Sequence, residues 1–181
     1  MNPSRLILAK TDELFPLLVK YRIVIVEGAR CVGKDHLIER FTTAHPAYLP
    51  YEVMKPRKKF MDEISGSLHN LPGGIDIQQS HLWTMDVFRQ FRDLKVVVNR
   101  SMLTSQHFDG QHEERFTMWQ NLLKTVNGIV VLVNPPDRSH AKRIASAGRL
   151  AETESIYAEK IGIQRFAAML DPARLCVFSE V

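Results

Sequence analysis

Apolar and polar positions along the 181-residue chain alternate between two patterns. Five short runs rich in β-branched residues predict strands: "RIVIVEG" (22–28), "AYLPYE" (47–52), "KVVVNR" (95–100), "GIVVLVN" (128–134) and "RLCVFSE" (174–180). Three of them are nearly continuous Val/Ile/Leu runs, the pattern of parallel strands buried on both faces. Between the runs, apolar residues recur every three or four positions, which predicts helices with one buried face. Leu37, Ile38 and Phe41 form one such stripe, Leu82, Met85 and Phe88 a second, Phe116, Trp119, Leu123 and Val126 a third, and Ile156, Ile163, Phe166 and Leu170 a fourth. Residues 1–20 read as a short amphipathic helix beside the first strand. Strands alternating with helices predict a three-layer α/β fold, with a mostly parallel five-stranded sheet flanked by helices. Pro72-Gly73-Gly74 marks 65–80 as a connection over the site rather than a boundary, so 1–181 is expected to be a single domain.

Composition adds limits to this picture. With 45% apolar residues the chain can bury one sizeable core, and with 24% charged residues and no low-complexity run it does not read as disordered. No apolar run approaches the roughly 20 residues of a membrane helix. Charges interrupt "MNPSRLILAKTDELF" before a signal-peptide core can form. Cys31 and Cys176 stand far apart and make neither a disulfide framework nor a zinc site. The expectation is a soluble, cytoplasmic protein with no membrane partner. A net charge of +4 and a pI near 9.2 favour anionic partners without choosing between nucleotides and nucleic acid. Basic residues gather in "KPRKKF" (55–60) and "DRSHAKRIASAGR" (137–149).

The most specific chemistry lies where the first strand ends. Gly28-Ala29-Arg30-Cys31-Val32-Gly33-Lys34 has the G-x-x-x-x-G-K spacing of a phosphate-binding P-loop. The spacing has a physical reason: backbone N–H groups must wrap a phosphate, and glycine permits the φ values and close approach this requires. Lys34 then reaches the β- and γ-phosphates, and the helix that follows directs its positive dipole end at them. Candidate nucleotide-binding residues run from Gly28 through Lys34 to Asp35 and His36. Asp35 occupies the position where Ser or Thr normally serves magnesium. A carboxylate is a hard oxygen ligand, so Asp35 is the candidate Mg²⁺ residue; the alternative is an acid that merely complements the helix dipole.

In a parallel sheet, functional groups gather at the carboxyl ends of the strands. The second predicted strand ends in Glu52, the third in Asn99-Arg100-Ser101, and the fourth runs into "NPPDRSHAKR". The order of P-loop, "YEVMKPR", "VVVNRSMLTSQHF" and "RSHAKRIASAGRLAETE" resembles the thymidylate kinase and deoxynucleoside kinase group of P-loop phosphotransferases, over most of the chain from about residue 22. The resemblance implies that Arg100 contacts the acceptor or the transferred phosphoryl group. It also implies that Glu52 is the general base on an acceptor hydroxyl, and that a basic lid over about 137–150 closes on the phosphates. Arg138, Lys142, Arg143 and Arg149 match that lid loosely. Arg138, Lys142 and Arg149 would share one face if its helix ran through, with Arg143 pointing elsewhere. The family's strand-end acid is Asn99 here, so that acid's role does not carry over. The sequence also ends directly after the last strand, where thymidylate kinases continue through a segment that helps seat adenine.

Arg57, Gln79 and Gln106 are further candidates for holding the acceptor, alongside Gln78 and Asp86, and Trp83 and Phe108 are candidates for stacking on a base. Catalytic candidates are therefore Lys34, Glu52, Arg100, Arg143 and Arg149, with Arg138 assigned to the nucleotide. The expected activity is transfer of the γ-phosphoryl group of ATP, with Mg²⁺, to a deoxynucleoside or deoxynucleoside monophosphate. A kinase acting on a hydroxymethylated pyrimidine in DNA is the alternative, favoured by the basic pI and the 55–59 cluster. A non-catalytic NTP-binding module ranks third. A homodimer is compatible with the resemblance, and the compact chain and variant P-loop suit a phage or bacterial enzyme.

Overall fold

The computed structural model describes residues 6–52, 77–108 and 110–179. Six strands form one sheet in the order β1-β6-β5-β2-β4-β3, and every pairing is parallel. They are β1 (Leu6–Leu8), β2 (Ile23–Glu27), β3 (Leu49–Glu52), β4 (Val96–Asn99), β5 (Gly128–Val133) and β6 (Leu175–Phe178). Among the described residues, seven α-helices connect and cover them: α1 (Thr11–Leu18), α2 (Lys34–Ala44), α3 (Ile77–Gln90), α4 (Met102–Phe108), α5 (Glu113–Thr125), α6 (Asp137–Ser146) and α7 (Thr153–Ala167).

The central strands separate their side chains by parity, although as sequences they look uniformly apolar. On one face Ile23, Ile25, Val96, Val98, Val130 and Leu132 pack with Met85, Phe88 and Trp119. On the other, Val24, Val26, Val97, Ile129 and Val131 pack with Leu14, Leu37, Phe41 and Ile144. Burial on both faces is what a sheet between two helical layers requires, and it explains why β2 and β5 carry no exposed residue.

Among the described residues the sheet has six strands rather than five. Residues 1–20 do not form one helix: Leu6–Leu8 is an edge strand that pairs with β6 through Leu6↔Cys176 and Leu8↔Phe178, and the helix starts only at Thr11. A three-residue strand whose Leu6 and Ile7 are 43% and 67% exposed carries too little periodicity to register as a strand. The basic segment also divides. Helix α6 stops at Ser146, and Gly148 with φ +69° ends it; its N–H bonds to the carbonyl of Ala145, and that of Arg149 to the carbonyl of Ile144.

Candidate active site

The sheet register brings the candidate strand ends into one row. Asn99 lies opposite Glu52 on one side and Val26 on the other. Because the central strand β2 lies between β4 and β5, its carboxyl end delivers residues 28–33 into the middle of that row. Gly28 has φ +141°, and a Cβ there would lie 2.6 Å from the carbonyl oxygen of Val133 at the end of β5, so only glycine fits. Gly33, with φ +97°, is the residue before α2. Cys31 adopts the left-handed φ of +62° between them. Ala29 and Val32 are buried and anchor the loop to the core.

Lys34 is buried in the first turn of α2, and its Nζ donates to the carbonyls of Gly28 (2.8 Å) and Ala29 (2.7 Å). Burial, and next the neighbouring Arg100 guanidinium, lower its pKa from the usual 10.5 to about 8, against the opposing pull of Glu27, Glu159 and Asp35. Glu27, fully buried at the end of β2, accepts from the Ser101 and Thr104 hydroxyls at 2.7 Å each.

A cleft of about 520 Å³ opens over the loop. Arg30, Lys34, Arg100, Arg143 and Arg149 supply its positive charge, and Asp35, Glu52 and Asn99 stand on its rim. Three of the arginines are held from behind. Glu159 of α7, fully buried, accepts from Nε of Arg30 at 2.8 Å and lies 3.5 Å from a terminal nitrogen of Arg100. Arg30 also binds Glu152 at 2.5 Å and the Ser155 hydroxyl at 2.8 Å. Arg143 donates to the backbone carbonyl of Val32, inside the loop. Arg100 has φ +66°, and its backbone N–H bonds to the carbonyl of Val26. His140 on α6, buried and with its pKa lowered mainly by that burial, donates from Nε2 to the carbonyl of Arg30 at 2.9 Å.

The predicted residues therefore divide. Gly28 to Lys34 form the loop; Asp35, His36, Glu52, Arg100, Arg143 and Arg149 line the cleft. Arg138 and Lys142 are exposed on α6 and do not line it. The helix that ends at Ser146 points Arg143 into the loop instead, the reverse of the face expected from a continuous helix. Gln106 is buried, donating to Gln78 and accepting from the His112 N–H, so it ties α4 to α3 and the following turn. Gln79 lies with Trp83 in a separate groove between α3 and α5. Arg57 lies outside the described residues.

Asp35 and Asn99 are the residues here that would hold magnesium. Oδ1 of Asn99 is buried and without a hydrogen-bond partner among the described residues, while its Nδ2 donates to Asp35 Oδ1 at 2.7 Å. The Asp35 carboxylate is a hard donor of the kind this ion prefers, and the Asn99 amide, whose nitrogen faces it here, would present its oxygen beside the carboxylate on turning over.

Glu159, Glu27 and His140 were not singled out by sequence reasoning. A signal existed for Glu159: with Lys160 it interrupts the apolar stripe of Ile156 and Ile163, the position where a charge is buried and needs a partner.

No protein-family model matches the chain, and no curated protein matches it. Among solved structures, thymidylate kinase from Ehrlichia chaffeensis superposes with a TM-score of 0.50 at 12% identity, over 89% of this chain and 89% of that chain. Thymidylate kinase from Candida albicans gives 0.49 at 14% identity over 89% and 85%, and deoxyadenosine kinase from M. mycoides 0.45 at 11% over 86% and 88%. The chain thus has the α/β fold of the P-loop kinases, a parallel sheet flanked by helices on both faces.

Proposed function

We propose that this protein is an ATP-dependent phosphotransferase acting on a deoxynucleoside or deoxynucleoside monophosphate. The observation that carries the reading is the convergence of Lys34 and four arginines on one cleft with a carboxylate, Glu52, at its rim. A binding module needs the loop, but it does not need that many guanidinium groups aimed at the same space. Phosphoryl transfer does, because its catalysis consists mainly of positioning and of stabilising charge on the migrating group.

In this reading the loop N–H groups and Lys34 hold the β- and γ-phosphates. Lys34 exchanges its two carbonyl partners for phosphate oxygens, a stronger charge-assisted bond. Arg100 and Arg143 would face the transferred group, with Arg149 lining the same cleft from beyond α6. The apolar recess of about 210 Å³ formed by Val32, Leu37, Pro135 and Phe178, adjoining Arg143, would take the nucleobase. Asp35 and Asn99 would hold magnesium, which supplies neutralising charge to the phosphate oxygens. Glu52 would take the proton of an acceptor hydroxyl.

The test is transfer of label from γ-labelled ATP with Mg²⁺ to deoxynucleosides, their 5′-monophosphates, and duplex DNA with and without 5-hydroxymethyluracil. Label on any acceptor, lost by at least about a hundredfold in Lys34→Ala, supports the reading. Tight ATP binding with no acceptor labelled would replace it with a nucleotide-binding module.

A further inference from the structure

Strand β2 reads Ile23-Val24-Ile25-Val26-Glu27, an apolar run that ends in a carboxylate as deeply buried as the residues before it. Taking that charge out of water is costly, so the bonds it makes inside must repay the cost. Among the described residues its hydrogen bonds all go to one short segment. Oε1 accepts from the Ser101 hydroxyl at 2.7 Å and from the Thr104 N–H at 3.4 Å, and Oε2 accepts from the Thr104 hydroxyl at 2.7 Å.

That segment begins one residue after Arg100. Arg100 has φ +66°, a left-handed conformation that costs a residue with a side chain and persists only where its surroundings hold it. One tether is the bond from its N–H to the carbonyl of Val26 at 3.0 Å, which continues the pairing of β4 with β2. This bond fixes where residue 100 stands, but not the direction in which the chain leaves it. Glu27 supplies the second tether, by tying residues 101 and 104 to the end of β2. Between the two tethers the backbone turns, and the Arg100 side chain lines the P-loop cleft.

Resting on the kinase reading above, we infer that Glu27 is a positioning residue for phosphoryl transfer: by clamping Ser101 and Thr104 it holds the left-handed turn that aims Arg100 at the transferred group. Glu27 is fully buried and does not itself line the cleft, so it acts on the reaction through another side chain. Glu159 pairs with the guanidinium end of Arg100, whereas Glu27 holds the backbone from which that side chain springs. The two acids therefore control different ends of one catalytic group. A misplacement of about 1 Å in such a group costs about a hundredfold in rate. Glu27 is also near enough to Lys34 to oppose the lowering of its pKa by burial and by Arg100, so the experiment must separate a route through Arg100 from one through Lys34.

A double-mutant cycle does this. Wild type, Glu27→Gln, Arg100→Ala and the double variant are compared in single-turnover transfer from γ-labelled ATP with Mg²⁺ to deoxynucleosides and their 5′-monophosphates. Calorimetry gives ATP affinity, and circular dichroism shows that each variant is folded at the assay temperature. Glu27→Gln is expected to slow transfer at saturating substrate by at least about tenfold while the Kd for ATP stays within about twofold. In the Arg100→Ala background the same exchange should cost less than about twofold, because the group it positions is gone. The rate lost in Thr104→Val, which removes one hydroxyl, should be recovered in Thr104→Ser, and this pair carries the test in both backgrounds if Glu27→Gln does not fold. A lower Tm with an unchanged transfer rate overturns the inference by making Glu27 merely structural. Equal losses in both backgrounds overturn it by routing the effect through another group, such as Lys34. Either result leaves the kinase reading standing, whereas a wild type that binds ATP and labels no acceptor overturns both.

Discussion

Glu159 is the residue on which the arrangement of the cleft arginines can be tested most directly. Its carboxylate is fully buried, one oxygen bonded to Arg30 and the other within 3.5 Å of Arg100, too long and poorly directed for a hydrogen bond but close enough for charge pairing. Glu159→Gln keeps the shape and removes the charge. Breaking a buried ion pair from one side costs about 3–5 kcal/mol. Here the Arg30 and Arg100 side chains retain 26% and 24% exposure, so solvent screens part of the repulsion left behind. Arg30 also keeps Glu152 and Ser155. A loss of about 1–2 kcal/mol follows. For a chain of this size that is a Tm lower by about 2–8 °C. A purely structural role would stop there. If Glu159 balances the phosphate-binding cations, ATP supplies the missing negative charge, so the Tm gain on saturating ATP should be larger for the variant than for the wild type, while kcat falls because Arg100 is less well held. Differential scanning calorimetry with and without ATP, followed by steady-state kinetics, measures all three. An unchanged Tm together with unchanged kcat would refute the reasoning.

Three further outcomes follow from the same geometry. Lys34 titrates near 8 in the folded protein against 10.5 when unfolded, so the unfolded chain binds more protons between those values and this group makes the nucleotide-free protein more stable as pH rises through them. Phosphate restores the ammonium charge, so ATP binding at about pH 9 should take up close to one proton, read by titration calorimetry in buffers of different ionisation heat; a buffer-independent enthalpy would refute this. His81, bonded to Ser105 at 3.0 Å, has its pKa lowered by burial to about 4. Its unfolded counterpart protonates near 6.5, so stability should fall as pH drops from about 6.5 to 4, and His81→Gln should flatten that slope in urea titrations. Asp35→Asn should raise the Mg²⁺ concentration for half-maximal activity by about tenfold, and the double exchange Asp35→Ser with Asn99→Asp should recover most of it; an Asp35→Asn variant with wild-type metal dependence, followed by Mn²⁺ binding in the absence of turnover, would remove the pair from the metal site.

How far sequence carried this account depended on whether each signal was local. The strands β2, β4 and β5 were legible because a strand buried on both faces must be apolar throughout, and the P-loop was legible because its spacing is fixed by the phosphate it wraps. The edge strand β1 was not, since its stability comes from pairing with β6, at the far end of the chain. A continuous helix would leave Arg143 off the face shared by Arg138, Lys142 and Arg149, yet it is Arg143 that enters the loop, because the orientation of α6 depends on where Gly148 ends it and on how Ile144 packs into the core, neither of which the spacing of the basic residues reveals. Gln106 looked like a base-reading amide, but its partners are Gln78 and His112, joined to it only by the packing of α4 on α3.

The two departures from the usual P-loop site show what a one-dimensional reading misses even when it identifies every residue. Asp35 stands where the P-loop spacing leads one to expect a hydroxyl, and Asn99 where the resemblance to the kinase group implies an acid; taken separately, each looks like the loss of a metal ligand. In the structure the two side chains touch at 2.7 Å. The place where they meet has one carboxylate and one neutral amide whose nitrogen donates to it, the same total charge as a serine facing an aspartate, with the acid moved from the strand to the helix. The double exchange Asp35→Ser with Asn99→Asp therefore asks whether the site depends on the charge or on the element that carries it: recovery of the metal dependence lost in Asp35→Asn is the result that follows if one carboxylate at either position suffices, and no recovery is the result that follows if the acid must stand on the helix.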